Sequence, residues 1–66
     1  MQNFKYEIGE LVVYRHSTLN KFGIIVDREH DLYTRYKVQW FTHGGYNYYN
    51  DTSIMEMILD FERIYA

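Results

Sequence analysis

The sequence predicts a mainly β fold: a small five-stranded barrel with a short helical turn ahead of its last strand. Three observations point there. Tyr36, Val38 and Trp40 alternate strictly with Arg35, Lys37 and Gln39, the period of a strand with one buried face. Apolar and β-branched residues cluster in short runs, Leu11-Val12-Val13 and Ile24-Ile25-Val26, each followed by polar or turn-forming residues. Aromatic residues make up 20% of the 66 residues, with eight tyrosines, while cysteine and proline are absent. A chain of this size is near the lower limit at which one core offsets conformational entropy, and without thiols neither a disulfide nor a thiolate metal knot can staple it. Aromatic side chains, which bury area and keep a polar handle, take over that role.

The first strand is read over Glu10–Arg15, preceded by Ile8-Gly9, with Leu11 and Val13 on the core face and Val12 and Tyr14 on the other. His16–Lys21 reads as an open loop, too long for a two-residue hairpin. Gly23–Arg28 is the second strand, ended by the charged run Asp27-Arg28-Glu29-His30-Asp31. Tyr33–Phe41 carries the third strand, with Tyr36, Val38 and Trp40 facing the core. Thr42-His43-Gly44-Gly45 is a turn whose glycines are free to take positive φ, and Tyr46–Tyr49 returns as a fourth strand. The last segment has two readings. Ser53 and Glu56 have capping-box spacing, and Ile54, Met57, Ile58, Phe61 and Tyr65 recur at helical intervals, which describes one helix. Phe61-Glu62-Arg63-Ile64-Tyr65 alternates equally well, and a small barrel needs a closing strand. The reading adopted is a helical turn over Ile54–Leu59 followed by a strand over Phe61–Tyr65. The expected core is Leu11, Val13, Ile24, Val26, Tyr36, Val38, Trp40, Ile54, Ile58, Phe61 and Ile64.

No repeat, linker or low-complexity run divides the chain, so residues 1–66 read as a single domain. No apolar run approaches the roughly 18 residues that span a bilayer, and the amino terminus lacks the pattern of a signal peptide. The expected location is a cytoplasm, that of a host cell, or a virion. Charge is uneven: six basic against five acidic side chains up to His43, then one against four from Gly44 onward. The net charge of -2 is far from the basic balance of a dedicated nucleic-acid binder.

The order Ile8-Gly9-Glu10-Leu11-Val12, Gly23-Ile24-Ile25-Val26 and Tyr36-Lys37-Val38-Gln39-Trp40 resembles short SH3-like barrel proteins of tailed bacteriophages, over Ile8 to about Tyr49. That resemblance implies a five-stranded SH3-like barrel and an accessory or virion-associated structural role. Lys21-Phe22-Gly23-Ile24-Ile25-Val26 is similar to the second half of the KOW motif, whose preceding glycine is replaced here by Thr18-Leu19-Asn20. Tudor-like domains use an aromatic cage, for which Tyr33, Trp40, Tyr46, Tyr48 and Tyr49 are the candidates. These likenesses imply nucleic-acid or transcription-associated binding as the alternative function, and the phage resemblance a modulator of a host machine as another.

No catalytic, cofactor or metal set is legible. His16, His30 and His43 stand too far apart for a ligand pair and read as solvent-exposed, and neither Ser17 nor Ser53 sits in a nucleophile elbow. Asp51 and Asp60 read as helix-start or turn residues. The function expected is non-enzymatic protein–protein interaction. More tyrosines are present than the core can hold, and a strand of period 2 sends Tyr46 and Tyr48 to one face and Asn47 and Tyr49 to the other. Gly44-Gly45 would hold the outward set beside Arg35 and Lys37, an aromatic patch with a cationic edge. The candidate partner-binding residues are Tyr46, Tyr48, Tyr49, Arg35 and Lys37. The expected partner is a protein or larger assembly in preference to nucleic acid. A homo-oligomer is a further expectation, since the acidic carboxy-terminal segment offers a charge partner for the basic strand face.

Overall fold

The computed structural model describes residues 4–16, 19–42 and 44–65, with the side chains of His16 and Tyr65 outside the description. Four strands, β1 (Leu11–His16), β2 (Leu19–His30), β3 (Thr34–Trp40) and β4 (Tyr46–Tyr49), are followed by one helix, α1 (Asp51–Tyr65). The strands pair antiparallel in the order β1-β2-β3-β4. Mainly β is therefore correct, but among the described residues the sheet stays open and no fifth strand closes a barrel.

The segment read as a turn plus strand is one continuous helix of 15 residues. Two physical causes decide it. Asn50 caps the helix, its Oδ1 accepting the Ser53 backbone N–H at 2.9 Å, so the cap lies three residues ahead of the Ser53 expected from spacing. The apolar positions Ile54, Met57, Ile58, Phe61 and Ile64 repeat at helical intervals over the whole segment, whereas the strand-like alternation covers only its last five residues. Asp51 in the first turn and Arg63 in the last complement the helix dipole. The helix packs chiefly along β1, with a smaller contact to β3.

The first connection is shorter and the second strand longer than the sequence suggests. Pairing of β1 with β2 runs to His16↔Leu19, leaving only residues 17–18, outside the description, between the strands. The charged run does not end β2, which pairs with β3 as far as His30↔Thr34. Charges are tolerated there because Asp27 and His30 are exposed, Glu29 pairs with Arg35, and Arg28 is held by the Tyr6 carbonyl and Glu7. A bulge between Ile25 and Asp27 adds one residue to β2, with Val26 opposite no β3 partner.

The core is Val12, Ile25, Tyr36, Val38, Trp40, Ile54 and Met57, with Phe4, Tyr6, Tyr49 and Ile58 packed against it; Val13 is fully buried as well. Tyr36, Val38, Trp40 and Ile54 are where the sequence places them, and Val13 is buried as expected but outside that cluster. Leu11 and Val26 are instead exposed, and Ile24, Phe61 and Ile64 are half-buried. The β1 and β2 runs are displaced by one residue from the expected phase, so Val12 and Ile25 turn inward. Gly23 lies opposite Val12 on one side and Trp40 on the other, and it leaves room for the indole.

The segment before β1 packs against the buried Tyr36 and pairs with Ile25. Glu7–Glu10 form a turn closed by the Glu10 N–H on the Glu7 carbonyl (3.2 Å), with Gly9 at φ 99°, and Gly9 and Glu10 then pair with Ile25. Phe4 and Tyr6 stack edge-on against the buried Tyr36 ring at 6.1 and 5.5 Å. Arg28 fastens this segment: its guanidinium donates to the Tyr6 carbonyl and to Glu7, both at 3.2 Å, and lies 4.7 Å over the Phe4 ring.

Candidate functional site

The outer face of the β3–β4 hairpin is the most organised exposed surface. Register places Lys37 opposite Tyr48 and Gln39 opposite Tyr46, all on the face away from the core. Each cation of β3 reaches along the same diagonal to a tyrosine of β4. Lys37 Nζ lies 4.1 Å from the centroid of the Tyr46 ring, and Arg35 Cζ lies 5.3 Å from that of Tyr48. Arg35 also sits 5.6 Å from the Tyr33 ring. Strand twist brings diagonal neighbours together in this way, and a cation over an exposed ring stabilises the pair by about 0.5–1 kcal/mol. Tyr46 and Tyr48 remain 55% and 45% exposed.

The turn that returns β4 is braced by the same face. Gln39 Nε2 donates to the Gly44 and Gly45 carbonyls at 3.0 and 3.2 Å, the Trp40 N–H donates to the Gly45 carbonyl at 2.8 Å, and Gly44 has φ 66°. Glu29, opposite Arg35 in register, forms an ion pair with it. Lys37 makes no ion pair among the described residues.

Of the candidates named from sequence, Arg35, Lys37, Tyr46 and Tyr48 come together on this face, and Tyr49 does not. Tyr49 lies opposite Tyr36 on the inner face and stacks edge-on against Trp40 at 6.0 Å, so it is part of the core's margin. The same period separates the cage candidates: Trp40 and Tyr49 face inward while Tyr46 and Tyr48 face outward, and the five aromatics line no single cage. Tyr33 and Glu29 join the face without belonging to the binding set named from sequence; the bulge that brings Glu29 outward leaves no sequence signal.

The other chemistry-bearing residues are engaged structurally. His30 is exposed, with Nδ1 2.7 Å from the Thr34 hydroxyl; the His16 side chain, His43 and Ser17 lie outside the described residues. Asp60 pairs with Arg63 at 3.3 Å, and the Ser53 backbone serves the helix cap. Asp51 lies beside the Tyr36 hydroxyl, which also accepts the Lys5 N–H at 3.1 Å. Burial first, then hydrogen bonding to Asp51, holds the Tyr36 phenol above its usual pKa; burial and then the Asp51 and Glu10 charges raise that of Tyr6. Among the described residues no group of three or more His, Asp or Glu is placed to hold a metal ion, and no helix is long and apolar enough to cross a membrane. No protein-family model, curated protein or solved structure matches this chain.

Proposed function

We propose that the chain is a non-enzymatic protein-interaction module whose working surface is the outer face of the β3–β4 hairpin. The observation that carries this reading is the matched pair of cation–tyrosine contacts, Lys37 on Tyr46 and Arg35 on Tyr48. They hold large, rigid, amphipathic side chains in place before a partner arrives, which lowers the ordering cost of binding. The surface combines exposed ring edges, an ammonium group with no ion pair among the described residues and a guanidinium already balanced by Glu29, a composition suited to an acidic or amphipathic protein surface. The strand-pattern likeness to short SH3-like phage proteins supports an accessory role in such particles, as a decorating or connecting structural protein. The alternative, KOW- or Tudor-like nucleic-acid binding, has less behind it. The rings' cationic neighbours are the chain's own, and two carboxylates, Asp27 and Glu29, share that part of the sheet.

The test is affinity capture from the native source with the wild-type chain and with Tyr48→Ala/Lys37→Ala. A defined protein retained by the wild type and lost by the variant is expected. Equal retention by both, or replacement of protein by nucleic acid whose binding falls steeply with salt, overturns the reading. Absence of the chain from purified particles removes the virion setting alone.

A further inference from the structure

A second surface of the same molecule has the chemistry that this face lacks. On α1 the solvent side presents Met55 and Leu59, 46% and 48% exposed, flanked by Glu56 and Glu62, both exposed. These positions follow at i, i+1, i+4 and i+7, so they form one continuous stripe along the helix. Neither glutamate makes an ion pair among the described residues. The stripe lies in the acidic carboxy-terminal part of the chain, whereas the cations of the hairpin face, Arg35 and Lys37, lie in the basic part. Because both surfaces are exposed in the folded chain, neither covers the other within one molecule.

We infer that the two surfaces bind each other between copies: the Met55-Glu56-Leu59-Glu62 stripe of one chain docks on the Lys37-Tyr46-Tyr48 face of the next. This inference rests on the proposed interaction surface and names its occupant. Spacing and charge both fit. Met55 and Leu59 are one helical turn apart, a rise of about 6 Å, and Tyr46 and Tyr48 are two strand residues apart, about 6.8 Å, so an apolar side chain meets each ring. Thioether and aliphatic groups make favourable contacts with ring edges, and Glu56 or Glu62 supplies an ion-pair partner to Lys37, which makes no ion pair among the described residues although Asp27 stands opposite it in register. The surfaces differ, so the contact is head-to-tail, and repetition generates a ring or a filament instead of a closed two-fold dimer. Each surface is small, so a single contact is weak and gains strength when many copies stand side by side.

Sedimentation velocity over rising concentration, to roughly 1 mM, reads this directly. The wild type is expected to self-associate, with association weakened at least about tenfold by Lys37→Ala/Tyr48→Ala and equally by Met55→Ala/Leu59→Ala. Mixing the two variants restores one intact contact and is expected to give a heterodimer that grows no further, the signature of a head-to-tail interface. Lys37→Glu, which leaves every aromatic residue in place, is expected to show the same loss, so a fold loosened by Tyr48→Ala cannot imitate the result. A wild type that stays monomeric throughout, variants that associate as well as the wild type, or a mixture that stays monomeric overturns the inference. A monomer whose hairpin face still captures a foreign protein refutes only this inference. Patch-independent capture refutes the reading beneath it.

Discussion

Replacing Gly23 by alanine is expected to destabilise the fold by about 1–2 kcal/mol, the net of two opposing terms. A Cβ at this position would stand 2.7 Å from Trp40 Cε3, 2.8 Å from Val38 Cγ1 and 2.9 Å from the Gln39 carbonyl oxygen. Carbon atoms in contact prefer about 3.5–4.0 Å, so two core side chains would each have to retreat by most of an ångström. The third neighbour is backbone of the paired strand and can yield only if the ladder moves. Overpacking of this kind costs about 1–3 kcal/mol, and the lower entropy of the unfolded alanine chain returns about 0.4–1. Against a total of roughly 3–10 kcal/mol for a 66-residue chain, the loss is large. With a urea slope near 1 kcal/mol/M, the midpoint should fall by about 1–2 M with the slope unchanged. Two further glycines separate sterics from backbone preference. Gly45→Ala meets no atom within 4 Å and is expected to be neutral or slightly stabilising, whereas Gly44→Ala, also in open space but at φ 66°, should lose about 1 kcal/mol. A Gly23→Ala variant as stable as wild type, or Gly45→Ala as damaging as Gly23→Ala, would refute the packing argument.

Tyr49→Ala is expected to cost about 2 kcal/mol in urea melts, because Tyr49 stacks on Trp40, while Tyr46→Ala on the outer face stays within about 1 kcal/mol of wild type; equal losses would contradict the assignment of faces. The raised pKa values of Tyr36 and Tyr6 favour the protonated phenols in the folded state, so their contribution is complete below the unfolded value of 10.0 and is lost as pH rises through the folded values. Stability should therefore fall in alkaline solution, and Tyr36→Phe should flatten that fall while costing about 1–2 kcal/mol at neutral pH through the orphaned Lys5 N–H; an unaltered alkaline limb in the variant would count against it. Asn50→Ala should remove about 1 kcal/mol and Asn50→Asp almost nothing, read from thermal melts followed by circular dichroism at the helix band.

How much of this molecule is legible in its sequence depends on contrast between neighbouring residues. In β3 the residues Tyr36, Val38 and Trp40 alternate with Arg35, Lys37 and Gln39, so its phase is unambiguous, and the inward set Tyr36, Val38 and Trp40 is the buried one. Once β4 pairs Tyr36 with Tyr49, period 2 sends Tyr46 and Tyr48 outward to the cations, and most of the candidate site follows. Leu11-Val12-Val13 and Ile24-Ile25-Val26 offer no such contrast. Any phase looks equally apolar, and a slip of one residue exchanges the faces. At the carboxy terminus, five residues satisfy a strand and fifteen satisfy a helix. The longer pattern wins because the Asn50 cap and the Ile54–Met57 face act together.

The bulge at Val26 is the feature with no sequence signature and the largest effect on the candidate site. Before it, Gly23 and Ile25 point inward; after it, the phase of β2 is reversed and Arg28 lies opposite the inward Tyr36. In an unbulged β2 the outward residue would be Arg28, beside Arg35 and Lys37, and Glu29 would turn toward the core. Three cations on one face would make a stripe suited to a phosphate backbone. The added residue sends Arg28 to fasten the Phe4–Glu7 segment over Tyr36 and brings Glu29 out to neutralise Arg35, leaving Lys37 over Tyr46 as a cation with no ion pair among the described residues. One extra residue therefore secures the amino-terminal segment and lowers the charge of the hairpin face. That balance is the physical ground on which the proposed function favours a protein surface over nucleic acid, and in the proposed head-to-tail contact a single glutamate from a neighbouring chain would complete the patch.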